Sequence, residues 1–339
     1  MADEQWRPRA HTLRQSHNLL CVVSGTKRLL LWPPSELPAL HLYPAIHAAH
    51  RQSQISITRF DELRAARGGK DDGNGDVAAA ADAPIAKESS SLRGVLSDYP
   101  LVDSDALLGL KGAIRVEMSE GDVLYIPPYW AHAVLSPTPS VAIAAFSTSW
   151  EQSRWARSGW LAAPLGRFQS GGLCTKARGA ALLIGAFVHS LSPILSAQPG
   201  HSPRRFLETL YASRYAPLYG RLDHEGNHVG ERSSSAGLAD CLAASELSSH
   251  SALPPDAPER DAALRGRVRA FAARVASLLT EPDAAADGRT YDVGVAAELA
   301  ADYVEEVAGW ACGADGAWRL LRLLASTHET DIAHQTNTN

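Results

Sequence analysis

Two hydrophobic periods divide the chain. As far as Trp150 the apolar residues fall in short runs: Asn18 to Ser24, Lys27 to Trp32, Ala113 to Met118, Val123 to Ile126, Ala131 to Leu135 and Val141 to Phe146. Turn residues bound them, at Ser24-Gly25-Thr26, Pro33-Pro34, Gly121-Asp122, Pro127-Pro128 and Pro137-Thr138-Pro139. Short runs so punctuated predict strands of a sandwich or small barrel. The first two read as a hairpin turning at Ser24-Gly25-Thr26. Val123 to Ile126 pairs in the same way with a strand through Trp130 to Ser136, around the Pro-Pro corner. Ser35 to Leu40 reads as one helical turn with Ser35 as its N-cap, and His41 to Arg64 shows no regular period.

Beyond Trp150 the period becomes helical. Asp261 to Leu279 sets Leu264, Val268, Phe271, Val275 and Leu278 on one face with arginines between them, and Val295 to Trp310 and Ala317 to Leu324 behave alike. The most apolar run, Gly179 to Ala197, contains His189 and Pro193 and predicts a buried helix rather than a membrane span. Two stretches break the pattern. From about 65 to 95 the chain is rich in Gly, Asp, Ala and Ser, the composition of a disordered surface insertion. From 222 to 259 it is rich in Ser, Gly, His and Pro, the composition of a flexible loop. The expected organisation is a β module over 1–150 and a helical region over 151–339.

Composition narrows the classes. A chain of 339 residues, 45% hydrophobic and 20% charged, can bury at least one sizeable core. A net charge of -5 gives no electrostatic reason to expect a nucleic-acid partner. Cys21, Cys174, Cys241 and Cys312 show no paired spacing, so neither a disulfide framework nor a structural zinc site is expected, and a reducing compartment fits. The first residues have no apolar core of the kind a signal peptide carries.

The chemistry centres on Gly121-Asp122-Val123-Leu124-Tyr125-Ile126-Pro127-Pro128-Tyr129-Trp130-Ala131-His132. A turn, a strand and a rigid proline corner would hold the His132 imidazole at a fixed height, as a metal ligand requires. The plainer alternative is a buried histidine bonded to a backbone carbonyl. A second pattern, His224-Glu225-Gly226-Asn227-His228 with Glu246 downstream, fits the HExxH expression of zinc hydrolases. Gly226 and Asn227 are poor helix formers, however, and no apolar face accompanies them, so a polar loop is the expected state.

Ser16 through Arg28, Leu42-Tyr43-Pro44, Arg51-Gln52-Ser53-Gln54 and Gly121 through His132 together resemble the JmjC (cupin-like) Fe(II) and 2-oxoglutarate oxygenases, most nearly the asparaginyl-hydroxylase branch. The resemblance implies an α+β chain: a double-stranded β-helix (cupin, jelly-roll) barrel, incomplete at the N-terminus, followed by a helical C-terminal region. It also implies Fe(II) held by two histidines and a carboxylate, with open positions for 2-oxoglutarate and dioxygen. His132 matches the last iron ligand, Lys27 the basic partner of the cofactor's far carboxylate, and Asn18 a polar residue beside the cofactor. A solvated strand-end lysine and a turn asparagine are the plainer readings of the last two.

The other iron ligands fail to match. The family's His-x-Asp falls on Thr12 and Arg14, a poor ligand and a permanent cation. His11 lies one residue out of step, and the strand period would send it to the opposite face, while His17 should point away from Asn18. Two accounts fit: a protein that has lost iron, or an upstream segment replaced by an incorrect start or exon join. Retention of Lys27 and His132 while everything upstream fails favours the second. The expected function is an impaired or truncated hydroxylase of proteins or other macromolecules, the alternative a non-catalytic binding or dimerisation protein. The cysteine usage leads to the expectation of a cytoplasmic or nuclear protein, and the resemblance further implies dimerisation through the C-terminal helices.

Overall fold

The computed structural model describes residues 9–12, 16–56, 114–160, 163–165, 168, 172–195, 202–219, 238 and 258–327. The segment 65–95, most of 222–259 and the His224 to His228 pattern lie outside them. The described chain divides into two compact units, residues 1–43, 49–149 and 216–220 in one and 44–48, 150–215 and 221–339 in the other.

Among the described residues the first unit holds eight strands: β1 (Arg9–Thr12), β2 (Ser16–Ser24), β3 (Lys27–Trp32), β4 (Gln52–Ser56), β5 (Ile114–Met118), β6 (Val123–Ile126), β7 (Ala131–Leu135) and β8 (Val141–Thr148). They form a five-stranded sheet ordered β4-β1-β7-β3-β5 and a three-stranded sheet ordered β6-β2-β8, with antiparallel ladders throughout. Alternation along each strand sends one set of side chains between the sheets. Leu29, Leu31 and Met118 from the larger sheet there meet Val22 and Ile126 from the smaller, with Leu20, Val116, Leu124 and Val134 packed around them.

Neither expected hairpin forms. β2 and β3 lie in different sheets, as do β6 and β7, so the turns carry the chain across the sandwich. The crossing at Gly25 needs glycine twice over: its φ is +79°, and a Cβ there would sit 2.4 Å from the Pro139 carbonyl oxygen. At the other corner Tyr129 adopts φ 64° immediately after Pro127-Pro128. The helical turn near Ser35 is a 3-10 segment, Pro34–Leu40, in which Pro33 occupies the N-cap without a side-chain bond. β4 and β1 were not expected from their polar sequences. β4 pairs with β1, and β1 is bound on its other side by β7.

The second unit is helical: α1 (Trp150–Trp155), α2 (Leu173–Ser190), α3 (Ser192–Leu195), α4 (Pro203–Leu210), α5 (Pro258–Thr280), α6 (Val293–Cys312) and α7 (Ala314–Thr327). The stripe on α5 is buried at Val268, Phe271, Val275 and Leu279. Leu279 rather than Leu278 thus closes the expected face. α2 carries the apolar run, with Ala177, Leu183, Ile184 and Phe187 buried, and it packs against α5 and α6. Among the described residues no helix is long and apolar enough to cross a membrane. One expectation about the cysteines fails: Cys174 is disulfide-bonded, whereas Cys21 and Cys312 are free.

Candidate functional site

β7 carries His132 into the space between the sheets. Its residues Ala131, His132 and Ala133 are all buried, and the imidazole is 2% exposed. A ring nitrogen, Nδ1, lies 3.4 Å from the Trp130 carbonyl oxygen, a contact that holds the ring toward its own strand. In the ladder with β3, His132 stands opposite Leu31 and Val134 opposite Leu29. Directly opposed residues of antiparallel strands share a face, so His132, Leu31 and Leu29 line the inner surface together. Lys27 belongs to the same alternation two and four residues before them.

The imidazole and the ammonium group therefore rise from one wall of the sandwich, with Leu29 and Val134 between them. They do not confront each other from two walls. Four residues of strand separate the Leu31 and Lys27 rungs, about 13 Å at the usual rise. Lys27 sits at the rim, where Nζ donates to Ser136 Oγ at 3.0 Å.

Asn18 comes from the opposite wall. It stands across from Ile126 on one side and Phe146 on the other, and it is 4% exposed. Its Oδ1 is buried with no hydrogen-bond partner. Buried side-chain oxygens are normally bonded, so an orphaned acceptor facing the inter-sheet space marks a position suited to a donor from a ligand or an ordered water. His17, its neighbour, points outward, as expected, and Nδ1 lies 2.7 Å from the Tyr125 hydroxyl.

The Arg51-Gln52-Ser53-Gln54 patch has a structural role. Ser53 Oγ donates to the Leu40 carbonyl at 2.7 Å and Gln54 Nε2 to the Leu42 carbonyl at 3.1 Å, both bonds buried. They tie the end of the 3-10 segment to β4. The same is true of Asp122, whose Oδ2 accepts from the Ser119 amide at 2.7 Å and closes the turn at Gly121, where φ is 90°.

For the missing ligands, the backbone register is informative. β1 pairs with β7 so that His11 stands across from His132 and Thr12 across from Ala131. Position 11, not position 12, thus shares a rung with His132, contrary to the reading from residue counting. Counting the His-x-Asp pattern from His11 moves its carboxylate to Leu13, which has no donor atom. In either frame the carboxylate is missing, since the sequence contains no Asp or Glu between Glu4 and Glu36. Among the described residues no group of three or more His, Cys, Asp or Glu side chains converges. Among the described residues, His132 is the one side chain of that ligand pattern that the structure buries between the sheets. Lys27 stands at the rim of one wall and the unpartnered Asn18 Oδ1 on the other.

Comparison with known proteins agrees with the two-sheet fold. Residues 9–150 match the cupin-like domain family. The lysine-specific demethylase JMJ31 of Arabidopsis thaliana is 30% identical over 139 residues, covering 41% of this chain and 18% of that protein. The chain therefore spans less than a fifth of that relative. The two matches support a JmjC/cupin, oxygenase-like origin for the two-sheet unit. Neither bears on the asparaginyl-hydroxylase branch.

Proposed function

We propose that the two-sheet unit is a JmjC-type oxygenase domain whose iron centre is impaired and whose pocket still accepts a 2-oxo dicarboxylate. The observation that carries this reading is the absence of any carboxylate between Glu4 and Glu36, on a fold that still buries His132. In a complete site, Fe(II) with 2-oxoglutarate supplies the oxidising power for hydroxylation. In this chain no step is routed through the metal. His132 offers one imidazole, Lys27 a charge partner for a carboxylate, and Asn18 a fixed polar contact on the facing wall. The Leu29, Leu31 and Val134 side chains keep the space between them apolar.

By the same resemblance the macromolecule served is a protein or similar polymer and the C-terminal helices form a dimer contact; the compartment, read from the cysteine usage, is cytoplasmic or nuclear. The test is calorimetric titration of the purified chain with 2-oxoglutarate, in parallel with succinate release in the presence of Fe(II), ascorbate and oxygen. The expected result is saturable binding, weakened at least about tenfold by Lys27→Ala, with no succinate above the protein-free control. Stoichiometric iron with steady succinate release would overturn the impaired centre, and absence of binding would overturn the retained pocket.

A further inference from the structure

α5 turns an arginine-lined face outward. Its inner face is fixed by burial: Val268, Phe271, Ala272, Val275, Ala276 and Leu279 are buried, and the helix packs against α2. On the opposite side Ala263, Gly266, Ala270 and Ala273 are exposed and Ser277 is half-buried. These five recur at alternating steps of three and four, the spacing of a helix–helix seam. A Cβ placed on Gly266 would meet nothing within 4 Å, so the space above the seam is clear at that point. Arginines border the row on both sides. Arg267 and Arg274 follow Ala263 and Ala270 by one turn on one flank, and Arg265 and Arg269 directly precede Gly266 and Ala270 on the other. All four are exposed, and among the described residues their side chains have no carboxylate or hydrogen-bond partner. The sequence holds no Asp or Glu from Ala262 to Thr280. Arg265 and Arg269 form a like-charge pair one turn apart, which weakens a helix, so helix stability does not account for the arrangement.

We propose that this face receives an acidic amphipathic helix of another protein, laid along the row of small residues with its carboxylates paired to the arginines on both flanks. Charge and shape choose this occupant. Small residues along the seam let a second backbone approach to about 8 Å, and the charges flanking such a seam select the helix that fits it. A second copy of α5 is refused by its own charge, since in either direction arginine would face arginine. A dimer through the helical unit therefore uses another face. Nucleic acid is disfavoured because Ala263, Gly266, Ala270 and Ala273 offer neither a side-chain donor to base edges nor a ring to stack on, and the chain carries a net charge of -5. The surface lies wholly in the helical unit, and the proposal does not depend on the functional reading above.

Fluorescence anisotropy tests it on the full chain with two labelled helical peptides, each about three heptads long with leucines at the seam positions. One carries glutamates on both flanks and the other lysines. The glutamate peptide should bind saturably and at least about tenfold more tightly than the lysine peptide. Arg267→Glu with Arg274→Glu should weaken it at least about tenfold and reverse the preference. Ala270→Gln keeps every charge but fills the seam, and should weaken it at least about fivefold. The substituted residues are exposed, and circular dichroism checks that each variant keeps its helices. No binding of the glutamate peptide overturns the proposal, as does equal binding of the two peptides. An unchanged affinity in Ala270→Gln overturns the close-packed seam, and a single-stranded oligonucleotide bound more tightly than the glutamate peptide assigns the face to nucleic acid instead.

Discussion

Two buried polar side chains, one in each unit, are treated in opposite ways. In the helical unit Arg214 is 4% exposed and completely paired. It follows α4 in a π-helical turn, Tyr211–Tyr215, and donates to Asp302 at 2.9 Å, to Glu305 at 2.7 Å and to Glu298. Those carboxylates recur at helical spacing along one face of α6. Burial opposes the guanidinium charge, yet Glu298, Glu305 and Asp302 more than restore it and hold its pKa well above the usual value. In the two-sheet unit the buried Asn18 oxygen is left open. A buried cation held by three carboxylates fixes structure, whereas a buried acceptor without a donor is unfavourable unless something binds there.

The largest way to break this contrast is Arg214→Met. It leaves three carboxylates around a cavity made for a cation, and removing one partner from a buried ionic cluster typically costs about 3–5 kcal/mol. Urea denaturation followed by helical ellipticity measures it. A loss below about 1 kcal/mol would mean that the cluster is solvated and the contrast with Asn18 is false.

Glu305 sharpens the same comparison through pH. It is fully buried, accepts from the Ala45 amide at 2.6 Å, and has its pKa pushed up to about 7, chiefly by burial and against the pull of Arg214. A carboxyl whose folded pKa lies above its unfolded one binds its proton more tightly when folded. Its contribution therefore makes stability fall as pH rises from about 4.5 to 7 and level off above, with a total change on the order of 3 kcal/mol. Glu305→Gln keeps an acceptor for Ala45 and removes the titration. The variant should gain stability relative to the native chain between pH 5 and pH 8, and an unchanged difference across that range would count against a proton held at this site.

How much of this was legible in the sequence depends on how local each signal is. Apolar runs between turn residues found β2, β3 and β5 to β8; β2, β3 and β7 bury side chains between the sheets, whereas β8 is exposed along almost its whole length. Sheet membership was not legible: the turns at Gly25 and Pro127 look like hairpin turns, and only the close approach of Pro139 to Gly25 shows that the first one crosses between sheets. β4 was missed because Gln52-Ser53-Gln54 is polar, and Ser53 and Gln54 are buried through bonds to the Leu40 and Leu42 carbonyls, which carry no hydrophobic signature. Of the site, His132, Lys27 and Asn18 were named from the motif alone, and the structure sets all three on inward-facing positions. The His11 register was misjudged because counting residues across an unread strand cannot fix a ladder. The Arg214 cluster went unnoticed, although Glu298, Asp302 and Glu305 on a mostly apolar helix were a usable clue.

The smallest expected effect concerns Asn18 itself. If its buried oxygen serves a ligand, replacing it with an apolar side chain of similar size should relieve an unmet bond and add apolar contact beside Leu20, Ile126 and Phe146. Asn18→Leu should then leave stability unchanged or raise it by about 1 kcal/mol, while weakening 2-oxo dicarboxylate binding. That combination, a steadier fold with a poorer pocket, separates a ligand-facing residue from a structural one. A structural asparagine would lose stability on the same change, by about 1–3 kcal/mol, because its remaining bonds to the sheet would be gone. Thermal unfolding of the two-sheet unit, followed at a strand-sensitive wavelength with and without 2-oxoglutarate, distinguishes these. Stabilisation of the native chain by the ligand, absent in Asn18→Leu, would tie the orphaned oxygen to the pocket.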